Sequence, residues 1–212
     1  MSHTPYLQSS KTKMLTWTSK DALPNMGETI KDFFGKQDIT ALDLGCGQGY
    51  NTFAISHHVK TIYGIDPSTS MLKFARKLKK TLSDEPGYNN IKSCRFYRGG
   101  FVNIPIKKVN IIYMYNSLHI ILPVYKSSKF NKILDNIVSH IHSGGVLYIQ
   151  DMLTVRSMAV KPDNIKEVNK SLKRTWELLN TYIKLNSSRI SILRTSVDKQ
   201  KQIYWMMLRV ND

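Results

Sequence analysis

The sequence predicts an α/β fold in which a mostly parallel sheet, with helices on both faces, ends in an antiparallel hairpin. Three observations support this prediction. Short apolar runs alternate with stretches of helical periodicity along most of the chain. A glycine-rich loop directly follows the first apolar run. Two β-rich runs near the last residues are separated by a polar break that is too short for a crossover helix.

The elements before and around the glycine-rich loop come first. Residues 23–35 have a proline near their start, apolar residues at helical spacing and a glycine at their end, which predicts a helix. Strand one is predicted at 40–44 and strand two at 61–66, and an aspartate lies at or near the end of each, Asp43 and Asp66.

The middle of the chain continues the alternation. Residues 68–82 should form an amphipathic helix with Ser68 as its N-cap. Strand three is predicted at 93–97, strand four at 109–115, and a further helix at 127–142.

The last part of the chain changes character after strand five, which follows the turn Ser143-Gly144-Gly145. Apolar residues at steps of three and four predict a long amphipathic helix over 163–185. The runs 189–196 and 202–210 then predict the antiparallel hairpin.

The loop after strand one has glycines at every second position, Gly45, Gly47 and Gly49. Glycines let the backbone turn sharply and approach a ligand, and the helix that follows begins with free N–H groups. A carboxylate at the tip of the next strand, here Asp66, can accept from both hydroxyls of a ribose. The pattern indicates a nucleoside-cofactor site, and its spacing differs from that of dinucleotide-binding loops.

With Asp43 in front of it, this loop resembles the first motif of class I S-adenosylmethionine-dependent methyltransferases, and residues 63–68 resemble the second. The match continues in family order through 104–106, 111–119 and 143–149. The resemblance implies a Rossmann-like, seven-stranded sheet that is mostly parallel with a C-terminal antiparallel hairpin. It also implies S-adenosylmethionine as cofactor and S-adenosylhomocysteine as product.

The resemblance implies a set of cofactor-binding residues as well. Asp43 would support the methionine ammonium, and Asp66 would hold the ribose. Gly100 stands where many members carry an acid that accepts from the adenine amino group, so the backbone N–H of Phe101 is the expected contact there. The full predicted set is Asp43, Gly45, Cys46, Gly47, Gly49, Asp66, Pro67, Met71, Gly100, Phe101 and Asn116.

His119 is the candidate catalytic residue. The segment after strand four, Asn116-Ser117-Leu118-His119, is similar to that of small-molecule methyltransferases of the ubiquinone-biosynthesis type and to that of messenger-RNA cap guanine methyltransferases. A histidine there would take a proton from an acceptor hydroxyl or amine, or hydrogen-bond the acceptor. A purely structural histidine is the alternative. The other histidines lack companion ligands at metal spacing, so no metal site is predicted.

Length and composition bound the remaining possibilities. A chain of 212 residues predicts one domain, made of an N-terminal cap (1–37), a cofactor-binding core (38–151) and a C-terminal helix and hairpin (152–212). Its two cysteines give no disulfide framework, and the polar N-terminal segment is neither a signal peptide nor a membrane span. These features predict a cytoplasmic protein without a membrane partner, and they leave the oligomeric state open.

A net charge of +16 suggests an anionic partner such as RNA. Of the 31 basic residues 23 are lysine, and the chain is also rich in Ile and Asn, so AT-rich codon usage is a competing explanation. The basic residues recur along the whole chain, and their sequence positions do not say whether they form one surface.

Three functions follow from these observations. A methyltransferase acting on an N, O or C nucleophile of a small organic acceptor is favoured by Leu118-His119 and by the compact length. An RNA methyltransferase, of the cap guanine type, is favoured by the charge. A catalytically inactive binding subunit with the same fold is kept open by Gly100. DNA amino-methyltransferases are disfavoured because the segment after strand four lacks their paired prolines.

Overall fold

The computed structural model describes residues 30–31, 33–35, 38–84, 89–121, 127–153, 165–198 and 203–212. Its strands are β1 (Thr40–Leu44), β2 (Thr61–Asp66), β3 (Cys94–Arg98), β4 (Val109–Tyr115), β5 (Ile141–Met152), β6 (Ile190–Asp198) and β7 (Ile203–Val210). Its α-helices are α1 (Tyr50–Ile55), α2 (Thr69–Ser83), α3 (Phe130–Ser139) and α4 (Ile165–Leu185). Short 3-10 turns lie at Asn89–Ser93, Leu118–Ile120 and Ser127–Lys129.

The strands form a seven-stranded sheet in the order β3-β2-β1-β4-β5-β7-β6. Parallel pairing joins β1 to β2, β2 to β3 and β4 to β5, whereas β7 pairs antiparallel with both β5 and β6. This arrangement confirms the predicted Rossmann-like fold with its C-terminal hairpin. The chain divides into two compact units, residues 1–100 and 101–212, and the single-domain organisation stays a prediction.

In the first unit, α2 begins with a capped N-terminus, and two of its basic side chains bond to carbonyls of the neighbouring segment. Ser68 is the N-cap, and its hydroxyl accepts from the Met71 N–H. Further along, Arg76 Nη2 donates to the carbonyl of Phe96 at 2.8 Å. Lys79 Nζ donates to the carbonyls of Lys92 and Cys94 at 3.1 and 2.6 Å. These bonds hold α2 along β3, which is the outermost strand on its side of the sheet.

In the second unit, a row of aromatic rings crosses the strands. Tyr148 on β5 stacks on Tyr113 with ring centroids 5.1 Å apart and on Trp205 at 6.2 Å. Tyr204 is buried and packs against Trp176 of α4 with centroids 4.4 Å apart. The predicted amphipathic helix therefore packs its half-buried tryptophan against the hairpin strand β7.

The predicted helix over 127–142 is too long. α3 ends at Ser139, and β5 already begins at Ile141, which lies opposite Val109. The prediction extended the helix because Ile141 continues its apolar spacing. Ile141 is instead the buried first residue of β5, so periodicity alone placed the boundary wrongly. Between Val109 and Ile111 the register of β5 jumps from Ile141 to Val146, so the predicted glycine turn is a bulge within the strand.

Other boundaries agree with the prediction within a few residues, β3 being shifted by one and α4 starting at Ile165. Most of the predicted N-terminal cap (1–37) lies outside the described residues, of which 30, 31, 33 and 34 are helical. In the part of the chain that the structure describes, no helix is both long and apolar enough to cross a membrane. The same residues contain no cluster of His, Cys, Asp and Glu that could hold a metal ion.

Candidate functional site

The glycine loop of the first unit is folded by hydrogen bonds to strand β2. The N–H groups of Gly45 and Cys46 both donate to the carbonyl of Ile65, at 2.8 and 3.0 Å. The N–H of Gly49 donates back to the Cys46 carbonyl at 2.9 Å, which closes the turn before α1. These backbone hydrogen bonds fix the start and the end of the loop.

Asp66, at the end of β2, joins this loop to the start of α2. Its Oδ2 accepts from the Gly47 N–H at 2.9 Å, and its Oδ1 accepts from the Ser68 N–H at 2.8 Å. Each carboxylate oxygen has two lone pairs, so one acceptor position remains on each oxygen. Because Asp66 is only partly buried, these positions are available to a pair of hydroxyls.

Asp43 is fully buried in β1, where its Oδ2 accepts from the Thr52 hydroxyl at 2.6 Å. Burial raises the pKa of the Asp43 carboxyl to about 7; the Thr52 hydrogen bond lowers it, and the charge of Asp66 raises it further. A buried carboxyl with such a pKa is a favourable partner for a cationic ligand group, because a nearby positive charge stabilises its ionised form.

Glycine is required in the loop and in β2 for different structural reasons. Gly49 has a φ of +84°, and a Cβ there would lie 3.0 Å from the ring of Phe96. A Cβ at Gly64 of β2 would come within 2.7 Å of the same ring. Packing against the Phe96 ring therefore requires glycine at both Gly49 and Gly64. Within the part of the chain that the structure describes, a Cβ at Gly47 would meet no heavy atom within 4 Å, so the backbone there borders open space.

Three other predicted cofactor residues of the first unit differ in exposure. Cys46 is buried, and burial raises the pKa of its thiol, so the thiol is not a nucleophile. Pro67 is exposed, and Met71 in the first turn of α2 is 40% exposed. Asn51, at the start of α1, was not predicted; its buried Oδ1 accepts no hydrogen bond from another described residue. Such an orphaned acceptor is costly unless a ligand donor reaches it.

In the second unit, His119 lies in the 3-10 turn after β4 and is held by Asp151. His119 Nδ1 is 2.7 Å from Asp151 Oδ1, and the His119 N–H donates to Asp151 Oδ2 at 2.9 Å. Asp151 is completely buried, and its Oδ1 also accepts from the Met152 N–H at 2.8 Å. The carboxylate therefore favours the tautomer with the proton on Nδ1 and leaves Nε2 as an acceptor on a side chain that is 21% exposed.

In two further predicted residues of this unit, Asn116 and Phe101, one backbone group is already hydrogen-bonded within the protein. Asn116 has a φ of +47°, which is uncommon for a residue other than glycine. Its N–H donates to the Gln150 carbonyl at 2.8 Å, and its buried side-chain Oδ1 has no hydrogen-bond partner among the described residues. The Phe101 carbonyl accepts from Asn136 Nδ2 at 2.8 Å, which fixes the backbone beside Gly100.

Asp151 is a site residue that the sequence analysis did not predict. The available signal was its place near the end of an apolar strand, in the run Gln150-Asp151, because ligand-binding residues gather at the carboxyl ends of parallel strands. Its partner lies 32 residues away in the chain, and spacing alone does not connect the two.

Comparisons with known proteins show the family and the fold of the chain. A protein family described as a methyltransferase domain matches residues 35–210. A putative S-adenosyl-L-methionine-dependent methyltransferase from Methanococcus maripaludis is 20% identical, with a TM-score of 0.63 and coverage of 94% of this chain and 92% of that chain. A SAM-dependent methyltransferase from Aquifex aeolicus is 19% identical, with a TM-score of 0.61 and coverage of 92% and 98%.

Magnesium protoporphyrin IX methyltransferase from Synechocystis PCC 6803, solved with bound SAM, is 14% identical, with a TM-score of 0.60 and coverage of 95% of this chain and 83% of that chain. At these low identities, the TM-scores show a shared fold. A comparison with curated proteins found no match.

Proposed function

This chain belongs to the methyltransferase domain family, as an S-adenosylmethionine-dependent enzyme, and we propose that it methylates a nucleophile of a small organic acceptor with His119 as the general base. The observation that carries the proposal is the pair formed by His119 and the buried Asp151. A histidine whose tautomer is fixed by a carboxylate is poised to accept a proton on its other nitrogen.

The residues of the first unit fit the cofactor. The two free acceptor positions of Asp66 suit the ribose hydroxyls, and the buried Asp43 suits a cationic amino-acid group. The open backbone at Gly47 gives room for close approach, and the orphaned Asn51 Oδ1 offers an acceptor to an ammonium or hydroxyl. Pro67, Met71 and Phe101 are assigned to the cofactor from the family resemblance.

S-adenosylmethionine supplies an electrophilic methyl group on a sulfonium. When bound, it would give this methyl to the acceptor and leave as S-adenosylhomocysteine, and His119 Nε2 would accept the proton that the acceptor loses. Alignment of the acceptor supplies most of the rate enhancement in such a displacement, and proton removal contributes a factor of about 10²–10⁴. An acceptor with an ionisable hydroxyl or amine is therefore favoured over one that carries no proton to lose.

The test is transfer of a labelled methyl group from S-adenosylmethionine to a panel of small hydroxyl, amine and carbon-acid compounds and to total RNA. We expect label in the small-molecule fraction and release of S-adenosylhomocysteine. Label confined to the RNA would instead support an RNA acceptor. Tight binding of the cofactor without turnover on any acceptor would support the inactive binding subunit.

A further inference from the structure

One face of strands β2 and β3 lies away from α1 and α2. On the helix side, the Phe96 ring packs edge-on against Phe53 with centroids 5.6 Å apart and lies beside Gly49 and Ala75. Successive strand residues point to opposite faces, so Arg95 and Tyr97 project from the other side of the sheet.

This second face carries a small aromatic surface with a cation in it. Tyr63 of β2 pairs with Arg95 of β3 in the parallel register, and the Tyr63 and Tyr97 rings have centroids 6.1 Å apart. Tyr97 is 38% exposed, Arg95 is exposed, and Tyr63 is half-buried. We call these three side chains the tyrosine platform.

The connection that follows β3 contributes to this exposure. Parallel strands are usually joined by a crossover helix that covers one face of the sheet. Here residues 99–108, all of them described, run from β3 to β4 without a helix. Large aromatic side chains on a sheet face without such a cover are unusual in a monomeric protein and indicate a binding surface.

Positive charge lies along the outer edge of the platform, on strand β3. Residues 89–98 contain three cations and no carboxylate, and two basic side chains of α2 reach the carbonyls of this segment. These five cations are Arg76, Lys79, Lys92, Arg95 and Arg98. None of them takes part in the ion pairs found between described residues. The region therefore attracts a polyanion, which a random spread of lysines along the chain would not do locally.

We propose that the tyrosine platform binds single-stranded nucleic acid. Every base has a π-face that stacks on an exposed aromatic ring, and the exposed guanidinium of Arg95 on the same face stacks on a base or binds a phosphate. An acidic peptide or an anionic lipid surface would use the charge but not the pair of rings. This binding is separate from methyl transfer and requires neither Asp66 nor His119.

The test is fluorescence anisotropy of a labelled oligouridylate with the full chain and with Tyr97→Ala. Loss of one stacking ring should weaken binding about five- to a hundredfold. The matched control is Phe74→Ala, because Phe74 is 41% exposed on α2 of the same unit but is not part of the platform. Arg95→Gln should reduce the dependence of binding on salt, whereas Lys77→Gln removes the same charge from α2 and should affect binding less.

Tyr97→Phe keeps the ring and should bind like the original chain. This variant keeps the test valid if Tyr97→Ala fails to fold. Equal losses in Tyr97→Ala and Phe74→Ala would overturn the proposal, because they would indicate a diffuse electrostatic surface. It is likewise overturned if polyglutamate or anionic vesicles displace the oligouridylate as well as unlabelled oligouridylate does, or if no saturable binding occurs at physiological salt.

Discussion

Asp66 and Asp151 lie near the ends of strands in different units, and their carboxylates are used differently. Asp66 is partly exposed, and each of its oxygens accepts one backbone N–H. Asp151 is completely buried, and two of its three hydrogen bonds come from His119. An exposed carboxylate that only fixes backbone keeps capacity for a ligand, whereas a buried one acts through the side chain that it orients.

The largest expected effect comes from removing the base. His119→Ala should lower turnover about 10²–10⁴-fold, because the acceptor then loses its proton to water, while cofactor affinity stays nearly unchanged. Turnover, calorimetric binding and melting temperature are measured on one preparation. The control is His140→Ala, a half-buried histidine whose Nδ1 lies 2.8 Å from the Asn136 carbonyl. Full activity in a destabilised His119→Ala protein would show a structural histidine instead.

Removing the exposed carboxylate should separate the two roles. Asp66→Ala loses two charge-assisted hydrogen bonds to the ribose, which costs about 1.5–3 kcal/mol, or roughly tenfold to a hundredfold in S-adenosylmethionine affinity. Asp151→Asn is the matched control, and it should lower turnover and leave the cofactor affinity unchanged. Calorimetry that found the same affinity loss in both variants would contradict the comparison.

The third carboxyl, Asp43, should make stability depend on pH. Its pKa is about 7 in the folded chain and 3.8 in an unperturbed aspartate, so the folded state holds the proton more tightly. Its stabilising effect is complete below the unfolded pKa and is lost as pH rises, at about 1.4 kcal/mol per pH unit between about pH 4 and 7. Urea unfolding of Asp43→Asn should show a flatter profile over that range. Equal slopes in the two proteins would argue against a protonated Asp43.

The smallest expected effect is a gain. A Cβ at Gly100 would meet no heavy atom of another described residue within 4 Å, and Gly100 does not have a positive φ. Gly100→Asp should therefore be accommodated and restore an acceptor for the adenine amino group, which is worth about 0.5–1.5 kcal/mol, or roughly two- to tenfold in affinity. Gly100→Asn serves as the uncharged control. Unchanged affinity in both variants would place the adenine elsewhere.

The strands and the glycine loop were predictable because their signals are local. Short apolar runs with turn residues at their ends located β1, β2 and β4, and the acid of β2 marked the predicted ribose contact. The boundary between α3 and β5 was not predictable, because Ile141 is apolar and suits either element. The pairing of His119 with Asp151 and the exposure of Tyr97 depend on contacts that only the tertiary fold brings together.

The side chains of Arg76 and Lys79 have a consequence for the outer strand β3. An edge strand presents a row of unpaired carbonyls that a strand from another chain can extend, which begins aggregation. Arg76 and Lys79 already occupy the carbonyls of Lys92, Cys94 and Phe96, and they place positive charge along that edge. A second copy of the chain would have to displace these bonds before it could add a strand, so the two basic side chains protect β3 from edge-to-edge association.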